Sequence, residues 1–290
     1  MYWTSEAPKR PFSVIRTREN GEIIPVDERY QIKPNILLLT AHPDDEILFA
    51  PTILSLLTEE RRGNSTLWAM CLSAGDFGGG AELGVKRIGE WNASWSILGL
   101  EEERRVILDV ADMKDSPEVR WTPATIADHV SPFVLENEID TILTFDGIGV
   151  TEHPQHSSLP GGVKHMISSP SFVQLHKKRN KNKAETYHTP RLFVMKSYPS
   201  TQQFSIFTPL VQHLQLGWNV LSVGNNLTNP DEVSTISFPT IFISDIWMYL
   251  QTWKALSQHD SQLTVGSTIA WLMARYVWVN EWVEVDIPAA

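Results

Sequence analysis

The stretch Asn35-Ile36-Leu37-Leu38-Leu39-Thr40-Ala41-His42-Pro43-Asp44-Asp45-Glu46 decides the fold and locates the chemistry. Residues 36–40 are apolar throughout and of strand length, as expected for a strand covered on both faces. Pro43 suits a first helical position, and Asp44, Asp45 and Glu46 complement the positive end of a helix dipole. A helix start accounts for the acids but not for a histidine leading them out of a buried strand. In a helical first turn His42 and Asp45 stand at i and i+3 and share a face. That places an imidazole nitrogen beside a carboxylate oxygen, two of the three protein ligands of a catalytic zinc site. Asp44 projects at another angle, free to act as a base.

Outward from this stretch the pattern repeats. Apolar runs at residues 67–72, 106–110, 141–145, 192–195 and 241–243 alternate with helix-length amphipathic stretches near 48–61, 84–98 and 123–136. Strand-helix-strand repetition predicts an α/β fold, a Rossmann-like, mostly parallel sheet with helices on both faces. Such sheets carry their sites at the carboxyl ends of the strands. Residues 1–34 read as an irregular polar arm without the apolar core of a signal peptide or an anchor. Residues 35–290 read as one domain with a helical C-terminal segment, in which Trp247, Trp253, Trp271, Trp278 and Trp282 are spaced as core residues of two helices. The apolar stretch 269–279 is too short to span a bilayer and contains Arg275. The basic run 176–183 is expected to be a solvated loop.

Composition narrows the function. Of 290 residues 42% are hydrophobic, and 24 Lys+Arg against 34 Asp+Glu leave a net charge of −10. That balance lacks the basic stripe a nucleic-acid partner requires. The single cysteine, Cys71, excludes a disulfide framework and multi-cysteine metal sites, and its apolar surroundings in sequence predict a buried thiol.

A second polar cluster follows the run 141–145: Asp146-Gly147-Ile148-Gly149-Val150-Thr151-Glu152-His153-Pro154-Gln155-His156. It repeats the first design, a histidine, a proline at a helix start, then a ligand type at i+3. A lone histidine is more often a core residue, but two such clusters at matching strand ends argue for a site. His42, Asp45 and His156 would offer two nitrogens and one oxygen and leave a fourth position open.

Together the His-Pro-Asp-Asp-Glu motif, the Thr-Phe-Asp at 144–146 and the His-x-x-His at 153–156 resemble the PIG-L (LmbE-like) zinc de-N-acetylases, notably those of GPI-anchor synthesis. The similarity runs from about residue 35 to 283 and takes in Leu72-Ser73-Ala74-Gly75, Arg87 with Glu90, Asp115 with Trp121, His259-Asp260-Ser261-Gln262 and Ala274-Arg275-Tyr276. The resemblance implies hydrolysis of an N-acetyl group, with zinc or another divalent metal held by His42, Asp45 and His156. It implies Asp44 as general base, a protonated His153 holding the oxyanion, Arg87 contacting substrate, and Glu46 orienting the ligands. Arg87 has an alternative partner in Glu90 at i+3. The implied substrate is a glycolipid, N-acetylglucosaminyl-phosphatidylinositol, met through peripheral contact at the cytoplasmic face of the endoplasmic reticulum. A soluble acetamido sugar handled in the cytosol, or sugar binding without catalysis, are the alternatives. Gln155, Glu152 and Asp76 depart from the family pattern, and Pro160-Gly161-Gly162 predicts a break in the helix that follows His156.

Overall fold

The computed structural model describes residues 33–180, 189–203 and 240–287; residues 1–32 of the N-terminal arm and residues 181–183 of the basic run lie outside them. In chain order the described elements are β1 (Asn35–Thr40), a 3-10 turn (Asp45–Phe49), α1 (Ala50–Arg61), β2 (Thr66–Cys71), α2 (Gly80–Leu98), β3 (Arg105–Ile107), α3 (Pro123–Glu136), β4 (Thr141–Phe145), α4 (Pro154–Ser168), α5 (Pro170–Asn180), β5 (Arg191–Met195), α6 (Ser200–Gln203), β6 (Thr240–Ile243), α7 (Ile246–Leu256), α8 (Val265–Met273) and β7 (Val279–Val285).

The strands form one sheet in the order β3-β2-β1-β4-β5-β7-β6. Strands β1 to β5 pair in parallel, while β7 runs antiparallel to both β5 and β6. Ile36, Leu37, Leu38 and Leu39 are all buried, so both faces of the central strand are covered. Helices α1 and α2 pack with α7, and α3 and α4 pack with each other and with α5. The chain leaves β1 toward β2 on one side and returns to β4 on the other. The strand order therefore reverses between β1 and β4, and a crevice opens at their carboxyl ends, where α/β sheets bind ligands.

Three local expectations change. Strand β7 occupies a segment whose tryptophans suggest a helix; Val279, Trp282 and the buried Asn280 instead line an antiparallel pairing. Helix α4 runs unbroken through Pro160, because its tertiary contact outweighs the missing N–H: Gly162 has no Cβ, and one there would collide with Ile126 of α3. The first part of the basic run is helical, the end of α5, with His176 buried beside Phe172.

Candidate metal and hydrolase site

Both polar clusters sit at the crevice. Asp45 does not follow a helix that starts at Pro43. Asp44 takes φ +108° and ψ −20°, and a 3-10 turn begins at Asp45. The turn still brings His42 and Asp45 together, because Asp45 Oδ2 accepts the backbone N–H groups of Ala41 (2.9 Å) and His42 (2.8 Å). At the second cluster Pro154 is indeed the first helical residue, and His153 caps α4, its Nδ1 accepting the Gln155 N–H at 3.3 Å.

The Asp146 carboxylate shapes the loop that delivers His156. It accepts from the N–H groups of Ile148, Gly149 and Ser197 and from Ser197 Oγ. Gly149, at φ +77°, lies so close that a Cβ would sit 2.7 Å from His156 Cβ. Its carbonyl receives His156 Nδ1 at 3.1 Å, and the His156 ring stacks on Phe145 with centroids 4.1 Å apart. Val150, buried at φ +61°, is a β-branched residue in the left-handed region, held by Ser197 Oγ and Gln203 Nε2.

The hydrogen-bond partners fix the protons of both rings. Gly149 O can only accept, so His156 carries its proton on Nδ1 and presents a lone pair at Nε2. Gln155 Nε2 donates to Lys114 O (2.8 Å), which turns Gln155 Oε1 toward His42 Nε2 at 2.6 Å; Asp115 Oδ1 lies 3.2 Å from the same nitrogen. His42 therefore donates from Nε2 and presents Nδ1. That Nδ1 faces His156 Nε2 at 3.0 Å, and Asp45 Oδ1 lies 3.1 Å from His156 Nε2. With both rings neutral, two imidazole lone pairs and a carboxylate would converge with no hydrogen between them. Such a set fits a cation, a proton or a metal ion.

The electrostatics agree. Burial opposes a charge on His42, but the Asp115 hydrogen bond and the charges of Asp45 and Asp115 raise its pKa to about 9. Burial also opposes the Asp45 carboxylate, yet His156 and His42 hold it down to about 2. His153 is pushed down to about 4 by burial and then by the charges of His42 and His156. With Nδ1 accepting from the Gln155 N–H, a neutral His153 carries its proton on Nε2, whereas the resemblance implies an imidazolium there. Burial and the neighbouring Asp45 charge lift Asp44 to about 7, suited to accepting a proton near neutrality.

His42, His153 and His156 together form a cluster able to hold a metal, with one donor atom of each within 4.8 Å of the others. Asp45 adds its carboxylate to the same place, so His153 joins the expected set as a fourth neighbour. The cavity above them is about 570 Å³, and Asp44, Arg87, Asp115, Gln262, Trp271 and Tyr276 are among its walls. Arg87 does not turn to Glu90. Its Nη1 lies 3.8 Å from Asp115, whereas Glu90 accepts from Ser261. Glu152 is exposed and absent from the cavity wall. Asp115, Gln155 and the C-terminal Gln262 and Tyr276 are site residues beyond the expected list. Asp115, Gln262 and Tyr276 stood in the sequence only as parts of the resemblance, and Gln155 only as a departure from its pattern, with no role attached to any of them.

Residues 37–167 match the family model PIG-L: GlcNAc-PI de-N-acetylase. The N-acetylglucosaminyl-phosphatidylinositol de-N-acetylase of Bos taurus is 38% identical over 129 residues, 44% of this chain and 48% of that protein. The protein of the same name in Saccharomyces cerevisiae is 27% identical over 258 residues, 85% of this chain and 80% of that one. The first of these alignments spans about half of its relative. Among solved structures, N,N'-diacetylchitobiose deacetylase from Pyrococcus horikoshii superposes with a TM-score of 0.52 at 17% identity, covering 87% of this chain and 83% of that one. A conserved protein of Thermus thermophilus superposes at 0.50 and 17% identity, covering 88% and 96%. At that identity the structural likeness speaks for the fold. The matched stretch takes in both histidine clusters, and residues 37–167 are similar to the PIG-L family domain.

Proposed function

We propose that this chain is a metal-dependent de-N-acetylase that converts N-acetylglucosaminyl-phosphatidylinositol into glucosaminyl-phosphatidylinositol and acetate, the second step of GPI-anchor biosynthesis. One observation carries the reading: two imidazole nitrogens and a carboxylate converge beside a second carboxylate, Asp44, and the imidazole of His153, in one cavity. The names of the relatives supply the substrate.

In this reading His42, Asp45 and His156 hold the ion. Zinc, or another divalent metal, supplies Lewis-acid polarisation of the amide carbonyl and acidifies the attacking water. Asp44 takes the proton of that water and later delivers it to the leaving amine. His153 donates its Nε2–H to the oxygen on which negative charge develops, a contribution of the kind that amounts to about 3–4 kcal/mol. Asp115 and Gln155 keep the proton of His42 on Nε2 and so keep Nδ1 available to the metal. Arg87 faces the cavity as a contact for the substrate. Gln155 serves as a neutral acceptor while Asp115 carries the charge, which fits the departure at that position.

The glycolipid is favoured over a soluble sugar by α8, which places Ser267, Ala270 and Trp271 in the cavity wall while Val265 and Ile269 on the same helix stand exposed. Among the described residues no helix is long and apolar enough to cross a membrane. Peripheral contact at the cytoplasmic face of the endoplasmic reticulum follows from this reading. The test measures acetate released from N-acetylglucosaminyl-phosphatidylinositol and from water-soluble N-acetylglucosaminides, with metal content determined on the same sample. Release from the lipid supports the reading. Release from soluble sugars alone would make the chain a non-lipid deacetylase, and metal without any release would make it a binding protein.

A further inference from the structure

The peptide unit between Pro43 and Asp44 is gripped on both its polar groups. Its carbonyl, Pro43 O, accepts from Gln262 Nε2 at 2.7 Å. Its N–H, on Asp44, donates to Glu46 Oε2 at 3.1 Å. The two grips are joined. His259 Nε2 lies 2.6 Å from Glu46 Oε1, and His259 Nδ1 lies 3.2 Å from Gln262 Oε1. A carbonyl can only accept, so Gln262 must aim its amide nitrogen at Pro43 and its oxygen at His259. Both ring nitrogens of His259 then face acceptors, and the ring is an imidazolium paired with the Glu46 carboxylate, both side chains fully buried. Ser94 Oγ adds a 2.5 Å hydrogen bond to Glu46, and Ser261 ties the segment to α2 through Glu90.

This ring of hydrogen bonds encloses a residue that would not hold its own conformation. Asp44 sits at φ +108°, which an L side chain rarely adopts and which persists only where its surroundings over-determine it. Turning the 43–44 peptide plane would swing the Asp44 carboxylate within the cavity. We propose that His259 and Gln262 are positioning residues that set the direction of the Asp44 carboxylate by clamping the peptide plane before it. The proposal rests on the reading of Asp44 as the general base, and it assigns to residues more than two hundred positions away the geometry of that base.

The experiment compares the intact chain with Gln262→Ala and His259→Gln, alone and in an Asp44→Asn background, and determines a crystal structure of Gln262→Ala. The expected result is a 10- to 100-fold fall in kcat for each single variant, with KM and metal content within twofold of the parent. Where Asp44 is already asparagine, Gln262→Ala should change kcat by less than twofold, because the clamp acts only through that carboxylate. The crystal structure should show residue 44 departing from φ +108°. Should His259→Gln fail to fold, Gln262→Ala decides, since Gln262 is only half-buried. An unchanged kcat, an equal loss in the Asp44→Asn background, or an unmoved residue 44 overturns the proposal. If the parent chain releases no acetate from any acetamido substrate, the functional reading falls, and the conformation of residue 44 in the crystal still decides the clamp.

Discussion

His42 Nδ1 and His156 Nε2 face each other at 3.0 Å across the crevice between β1 and β4, although 114 residues separate them in the chain. Each ring has its other nitrogen committed to an acceptor: Gly149 O for His156, and Gln155 with Asp115 for His42. The facing nitrogens therefore cannot both be satisfied by neutral imidazoles. A bound cation resolves the conflict, and in its absence a proton on His42 does so.

His42→Ala, His156→Ala and Asp45→Ala should each weaken metal binding by at least ~100-fold, beyond what the loss of an outer hydrogen-bonding partner costs. Metal content after dialysis against a weak chelator reads this directly. A full equivalent retained by all three variants would move the site elsewhere.

Asp44→Asn should keep its metal and lose about 10²–10⁴-fold in kcat, the typical range for general-base help. His153→Ala should also keep its metal, with a loss of about 10²–10³-fold for one oxyanion donor. If either variant loses the ion instead, that side chain is a ligand. For His153, which belongs to the cluster of three histidines, this outcome would make it a ligand in place of Asp45.

The Glu46–His259 pair should leave a signature in stability against pH. Burial lowers the His259 pKa, but the charge and hydrogen bond of Glu46 outweigh it and raise the group from 6.5 to about 9. A raised folded pKa means stability that is fully present below 6.5 and lost as pH climbs through 9. The difference amounts to about 3 kcal/mol. Urea unfolding at pH 6, 7.5 and 9.5 should show the parent losing stability across that window more steeply than His259→Gln. Parallel curves would mean that the ring is neutral in the folded protein.

Gly162→Ala should destabilise the fold by about 1–3 kcal/mol, because the new methyl group meets Ile126 where α3 and α4 approach. Thermal unfolding of Gly162→Ala beside Gly162→Ala/Ile126→Ala checks it. Measured against Ile126→Ala alone, adding Gly162→Ala should cost less than it does in the parent if the collision is the cause. An unaltered midpoint in the single variant would show that the helices move apart at little cost.

By itself the sequence determined the parallel core and pointed to the strand ends where the candidate site lies. Strands buried on both faces are apolar at most positions, so residues 36–40 and 141–145 declared themselves despite their threonines, and polar motifs at their carboxyl ends lay where such sheets bind ligands. Only tertiary structure decided the rest. Strand β7 was hidden because its buried residues pair with partners far along the chain, and tryptophan spacing cannot tell a half-buried strand from a helix. Helix α4 survives Pro160 through contact with α3, which no local propensity records. The charge state of His153 depends on His42 beside it, with ring centroids 4.6 Å apart, and the direction of Asp44 depends on Gln262. Ligand types follow from side-chain chemistry, which a sequence displays. Proton positions and carboxylate directions follow from what each atom faces, and that exists only once the chain has folded.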